Sequence, residues 1–280
     1  MNMPVINIVD PSIHKNNEVK YLSIQISKSE FVYCISTLSK NILVFRSYKY
    51  TNALLFEDFL NQTESFLEQD SLLALSFDKI HLLYIDRKST LIPNDFFKPE
   101  SLKSFMEFNQ PLDDLDELHY NNIDCINSKV VFAFSTYIAG ILTDKFKKIE
   151  FFNQAKPLIE LSDELSSFTK DDHVLINLNK EFFDIVIYSK GKLRLYNSFM
   201  YVNASDLIYY ILFVCKQLNI DYTLSAFYII GELCDRQDLI KELSVFIKNI
   251  QSPFLKEIAQ GMIRIPNDLH LKYATLFKLL

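Results

Sequence analysis

The sequence predicts an α/β protein made of two copies of one unit, each a set of strands flanked by helices. Three observations lead there. Apolar residues alternate with period two in some stretches and recur at helical spacing in others. The order three strands, helix, strand, helix occurs twice. The two occurrences are offset by 152 residues, with Ile24 on Ile176, Gln25 on Asn177, Ile26 on Leu178 and Lys28 on Lys180. A repeat of whole units constrains a fold more than any single segment does.

Residues 1–20 are irregular, with Pro4 and Pro11, and predict an edge strand through Val5 to Val9. The first unit runs from Tyr21 to Asp86. Tyr21 to Ser36 gives two strands, and Ile42, Val44 and Phe45 give a third. Leu55, Phe56, Phe59, Leu60, Phe66 and Leu67 form a helical stripe, and Ile80 to Ile85 a further strand. Arg87 to Pro99 holds three proline or asparagine breakers, so it reads as loop or a short extra strand. A helix follows from Glu100 to Asn109. Pro111 to Glu117 carries four acidic residues without the glycine and distal glutamate of a calcium loop, and reads as a solvated loop. Lys129 to Phe134 is a buried strand, Ser135 to Phe146 a helix capped by Ser135 or Thr136, and Ile149 to Phe152 a strand. Pro157 suits the first turn of the next helix, which ends near Phe168, with 169–172 as a link.

The second unit is centred on His173 to Tyr201, three strands joined by two tight turns. Gly191 supplies the positive φ that the second turn needs. Ser205-Asp206 predicts a helix cap before the stripe Leu207, Ile211, Val214 and Leu218. Ala226 to Ile230 is a strand ending at Gly231, and Leu239, Leu243, Phe246 and Ile250 share a helix face. An amphipathic helix from Asp268 to Leu280 closes the chain. The expected division is 1–156 and 157–280, with the last helix packing back on the first domain.

Composition narrows the function. The chain of 280 residues is 49% hydrophobic and 14% aromatic, enough for a packed core, and its net charge of −6 gives no support to nucleic-acid or anionic-membrane binding. The four cysteines, Cys34, Cys125, Cys215 and Cys234, lie in or beside apolar segments without a C-x-x-C, which predicts buried reduced thiols in a cytoplasmic protein. No basic region precedes an apolar core at the N-terminus, so no signal peptide is predicted. The five histidines show no metal spacing and read as structural. There are only four glycines, where typical proteins carry roughly 7%.

The pattern resembles the actin-like ATPase superfamily, in a Bacteroidetes-type branch with degenerate nucleotide motifs. Those proteins are two RNase H-like domains with ATP and a metal ion in the cleft between them, so the resemblance implies an α/β fold of two such domains, each a mixed five-stranded sheet flanked by helices. Five landmarks fall here in family order. They are a first phosphate loop at Ile24 to Phe31, a connection at Val131 to Phe134 leading into a helix with Gly140, and N-Q-A-K-P-L from Asn153 to Leu158. The second phosphate motif, D-L-G-G-G-T-F-D-V-S-I, falls on N-L-N-K-E-F-F-D-I-V-I from Asn177 to Ile187. The adenosine motif V-G-G-x-x-R falls on residues 230–235.

The departures decide what the resemblance implies. Phosphate loops work because glycine lets backbone N–H groups come close to the phosphates. Here Asn179, Lys180 and Glu181 replace the glycines of the second loop, and Ser27 to Glu30 has none. Asn177 and Gln25 stand where the metal-organising aspartate belongs, and Gly231 alone survives in the adenosine motif. A two-metal nuclease, which the RNase H-like fold also suggests, needs clustered carboxylates, and only Asp86 is well placed. Lys28 and Lys180 are the symmetric polar feature. They read either as an ammonium-built anion site or as two lysines on exposed turns. Lys28, Lys180 and Gly231 are therefore the candidate cleft positions. The implied function is a non-catalytic scaffold with no cofactor, no metal and no nucleotide, holding a protein partner or a second copy of itself. The alternative is a divergent ATP-binding ATPase or kinase.

Overall fold

The computed structural model describes residues 3–13, 20–51, 55–168, 172–232, 236–251, 253, 263 and 265–280. The first unit opens with β1 (Ile6–Val9), β2 (Lys20–Ile26), β3 (Glu30–Thr37) and β4 (Ile42–Lys49), then α1 (Phe56–Gln69) and β5 (Lys79–Tyr84). An excursion follows: β6 (Ser89–Pro93), α2 (Leu102–Asn109), β7 (Asp116–Ile123) and β8 (Ser128–Ser135). The unit ends with α3 (Thr136–Lys145) and β9 (Glu150–Asn153), and α4 (Ala155–Phe168) leads out of it. The second unit holds β10 (His173–Leu178), β11 (Phe182–Ser189), β12 (Lys192–Met200), α5 (Ala204–Gln217), β13 (Ala226–Gly231), α6 (Gln237–Phe246) and β14 (Ile250–Gln251). Two short helices, α7 (Asn267–Lys272) and α8 (Ala274–Phe277), close the chain.

The two large sheets have the same winding. In each, an antiparallel hairpin pair is followed by a parallel strand beside the first: β4-β3-β2-β5 in one and β12-β11-β10-β13 in the other. Equivalent pairings fall on equivalent residues, with Ile24 opposite Tyr33 and Ile176 opposite Ile185. The first sheet has six strands, the expected five plus the expected edge strand β1, which pairs with the outer edge of β4. The excursion forms its own antiparallel sheet, β6-β8-β7, which the repeat does not contain. Its strand β7 was not expected. The stretch D-E-L-H-Y-N-N-I has little β-branched content, and Asp116 and Glu117, expected in a loop, begin it. Lys88 meets both Asp113 and Asp116, so part of the acidic stretch is neutralised.

The cores follow from the alternation. One face of the first sheet buries Leu22, Ile24, Tyr33 and Leu82 beneath α1 and α3. One face of the second buries Val174, Ile176, Ile185 and Phe227 beneath α5 and α6. Helix α4 fills the space behind the second sheet, with Leu158, Ile159 and Leu165 against Leu175, Val186 and Tyr188. Burying one such side chain fully contributes about 1.5–3 kcal/mol. The opposite face of the first sheet is covered from far along the chain. Tyr273, Leu276, Phe277 and Leu279 pack on Val32, Cys34, Phe45 and Leu83, and the Phe45 ring lies 5.1 Å from Tyr273 and 5.4 Å from Phe277.

Local chemistry differs from expectation in four places. The single closing helix is two, with the break at Tyr273, the cap residue of both. The cap of α5 is Asn203, whose side chain accepts from the Asp206 N–H at 3.0 Å while Asp206 accepts from the Asn203 N–H at 3.3 Å. Ile250 lies in β14 rather than on the α6 face. Cys125 is exposed, because it sits in the tight turn joining β7 to β8; Cys34 and Cys215 are buried. Cys234, His14 and residues 169–171 fall outside the described residues. Among the described residues no helix is long and apolar enough to cross a membrane.

Candidate functional site

The two hairpin tips, Ser27 to Glu30 and Asn179 to Phe182, face one another across a cleft. Each is a turn whose central lysine, Lys28 or Lys180, occupies the same place in the repeat. The cleft encloses about 100 Å³ between the tips, the end of β5 and the closing helices. Gln25, Asp86, Asn177, Gly231, Glu232 and Tyr273 form part of its wall, with both lysines at the rim. The structure therefore brings Lys28, Lys180 and Gly231 to one cavity.

What they do there differs from a phosphate cradle. At the first tip the Ser27 N–H donates to Glu30 O at 3.0 Å. The N–H groups of Ser29 and Glu30 donate to Ser27 Oγ at 3.3 and 3.1 Å. At the second tip the Asn179 N–H donates to Phe182 O at 2.9 Å, and the Glu232 N–H donates to Leu178 O at 2.8 Å. The Ser27, Ser29, Glu30 and Asn179 amides are thus committed to the turns themselves. Lys28 does not pair with Lys180 around an anion site. Its Nζ lies 2.9 Å from Glu181 Oε2 across the cleft. Both side chains are at least half exposed, 75% and 50%, so the contact is worth about 0–1 kcal/mol.

Gly231 has a packing reason. Its φ is +89°, and a Cβ there would sit 2.2 Å from Leu178 O and 2.7 Å from Leu178 N. Only glycine lets β13 finish this close to β10. The neighbouring residues expected at 233–235 fall outside the described residues.

Beneath the second tip the motif residues turn inward. Asp184 is fully buried and accepts five hydrogen bonds. Asn177 and Asn179 donate to Oδ2 at 3.0 and 3.1 Å. Ser198, Tyr196 and Gln154 donate to Oδ1 at 2.6, 3.2 and 3.4 Å. Burial pushes the Asp184 carboxyl above the ordinary range, and these donors oppose the shift. Asn177, at the metal-organising position, is thus spent within its own sheet.

Across the cleft, Glu30 is buried and doubly held. Lys272 Nζ donates to one oxygen at 2.8 Å and Tyr273 OH to the other at 2.7 Å. Burial raises the carboxyls of Asp86 and Glu232, and the Ser29 hydroxyl donates to Glu232 at 3.4 Å. The wall carries four carboxylates and four cationic side chains, so it offers no excess positive charge to a triphosphate. Among the described residues no group of three His, Cys, Asp or Glu side chains could hold a metal ion. Its volume falls short of the roughly 300–1,000 Å³ typical of sites for drug-sized ligands. The described residues of the cleft do not fit a nucleotide with its metal.

Sequence reading missed the Glu30 clamp, because its partners lie 242 and 243 residues away. The Asp184 network left one signal: Asp184 falls on the second aspartate of the phosphate motif.

A family model matches residues 11–250. The chain belongs to that family, described as protein of unknown function (DUF3822). No curated protein sequence matches it. Among solved structures it is similar to a Bacteroides thetaiotaomicron protein with an actin-like ATPase fold and unknown function. The TM-score is 0.77 at 23% identity over 83% of this chain and 90% of that one. It is also similar to the PilM–PilN type IV pilus biogenesis complex, with TM-score 0.60 and 11% identity over 94% of this chain and 98% of that one. The ethanolamine utilization protein EutJ from Carboxydothermus hydrogenoformans follows at 0.51 and 9% identity, over 97% and 91%. At these identities the likeness is one of fold, and this DUF3822 chain has the fold of actin-like ATPases.

Proposed function

We propose that this chain is a non-catalytic relative of the actin-like ATPases, a cytoplasmic module that binds or scaffolds protein. The observation that carries the reading is the state of the two hairpin tips. The Ser27, Ser29, Glu30 and Asn179 amides are spent on their own turns, and the second tip carries Glu181 in place of a phosphate-loop glycine. A phosphate between the tips would face Glu181 and Glu232 and would have to displace Lys28 from its pair. The protein-binding half of the proposal draws support from the fold's use in the PilM–PilN complex. It draws further support from solvent-facing apolar side chains on the second unit, among them Val202, Tyr209 and Phe213.

The test is a thermal-shift titration with magnesium-ATP and magnesium-ADP. A ligand at a hundred times its dissociation constant adds about 2.7 kcal/mol, a rise in Tm of roughly 5–10 °C for a chain this size. The expected result is no saturable rise at millimolar nucleotide. A saturable rise, lost in Lys180→Ala, overturns the proposal in favour of a divergent ATP-binding protein.

A further inference from the structure

The cleft that does not suit a nucleotide has an unsatisfied floor. Gln25 is only 9% exposed, lines the cavity, and its Oε1 is buried with no hydrogen-bond partner. A buried amide oxygen without a donor is costly, and native structures usually reserve such groups for a purpose. The charges around it divide into used and unused. Lys28 is paired with Glu181 and Lys272 with Glu30. The other two carboxylates of the wall, Asp86 and Glu232, form no ion pair among the described residues, and neither do Arg87 and Lys180. One Asp86 oxygen accepts the Arg87 N–H at 2.7 Å, which leaves the other unused. Burial disfavours the charged forms of Asp86 and Glu232, and an arriving cation would relieve both.

A wall with no net charge and unused groups of both signs is complementary to a ligand that carries both signs itself. The enclosed 100 Å³ is several times the roughly 10–15 Å³ that one water requires, and it bounds the ligand to a few heavy atoms. We propose that the cleft binds a small zwitterion of α-amino-acid size, its ammonium group directed to Gln25 Oε1 and Asp86 and its carboxylate to Arg87 and Lys180. The bound molecule would contact both units, through Gln25, Asp86 and Arg87 on one and Lys180 on the other. This site is independent of the scaffold reading, since an amino-acid response without a nucleotide response leaves that reading intact.

The experiment is a thermal-shift and calorimetric screen of the full chain against individual free amino acids at millimolar concentration. Methylammonium and acetate serve as half-ligand controls. The expected result is a saturable rise with at least one short-chain amino acid and none with either control. Gln25→Leu removes the unpaired oxygen, so without ligand its Tm is unchanged or higher, while binding weakens about tenfold or more. Asp86→Asn weakens binding to a similar degree. The proposal is overturned if no amino acid shifts the wild-type protein, if both controls together reproduce the effect, or if Gln25→Leu binds as tightly as wild type.

Discussion

Gln25 and Asn177 hold the same place in two equivalent hairpins and meet opposite fates. Gln25 lies across from Val32, and its amide oxygen has no partner. Asn177 lies across from Asp184 and donates to it at 3.0 Å. The repeat fixes where each amide sits, and the cross-strand neighbour decides whether it is consumed within the sheet or left facing the cleft. The second unit has closed its former motif around a buried carboxylate. The first has kept an open position.

The contrast can be broken by making the second hairpin like the first. Asp184→Val leaves Ser198, Asn177, Asn179 and Tyr196 without their acceptor and should cost about 3 kcal/mol or more in urea denaturation at neutral pH. The pH dependence of isosteric variants sharpens the same point. Burial raises the Asp184 pKa, so the cost of its ionised form is present above the raised folded value and lifts as pH falls through it. Wild type therefore gains stability relative to Asp184→Asn as pH is lowered from neutral. Asp70 runs the other way. Burial pushes it up, but donation from Tyr33, Tyr48 and Arg46 outweighs that and holds its carboxyl low. Its contribution is present above the ordinary carboxylate pKa, near 3.9, and is lost as pH falls through the depressed value. The gap for Asp70→Asn should therefore close below about pH 4.

Smaller effects follow from the amides themselves. Asn177→Leu deprives Asp184 of one donor and should destabilise by about 1–2 kcal/mol, whereas Gln25→Leu should lie within about 0.5 kcal/mol of wild type or above it. Equal losses at the two positions would show that Gln25 has a partner after all. Lys28→Ala is expected to change stability by less than about 0.5 kcal/mol, because the Glu181 contact is exposed, and raised salt should erase even that.

Much of this architecture could be read from residue order. The match of Ile24 with Ile176 located both central hairpins and both helical layers, since strand and helix periods survive when motif residues change. The excursion was harder. Strand β7 carries Asp, Glu, His and two Asn, and it is held by β8 and by Asn121, which accepts the Asn153 N–H and donates to Phe151 O. Those are tertiary contacts without a local signature. The site was half legible. Missing glycines pointed to a changed cleft, and Lys28, Lys180, Gly231 and Asp86 all reach it. The pairing of Lys28 with Glu181 rather than with an anion depends on how two distant tips meet. The clamp on Glu30 comes from a segment on the far side of the second unit.

That segment also sets the order of events while the chain is being made. Val32, Cys34, Phe45 and Leu83 belong to strands that are synthesised well before their cover, Tyr273 to Leu279. About 190 residues separate Leu83 from Tyr273, and at about 5–20 residues per second the wait is on the order of ten seconds or more. Throughout that interval the apolar face formed by Val32, Cys34, Phe45 and Leu83 lacks this cover. A nascent chain arrested before residue 265 should recruit holdase chaperones, and one extended beyond the closing helices should not.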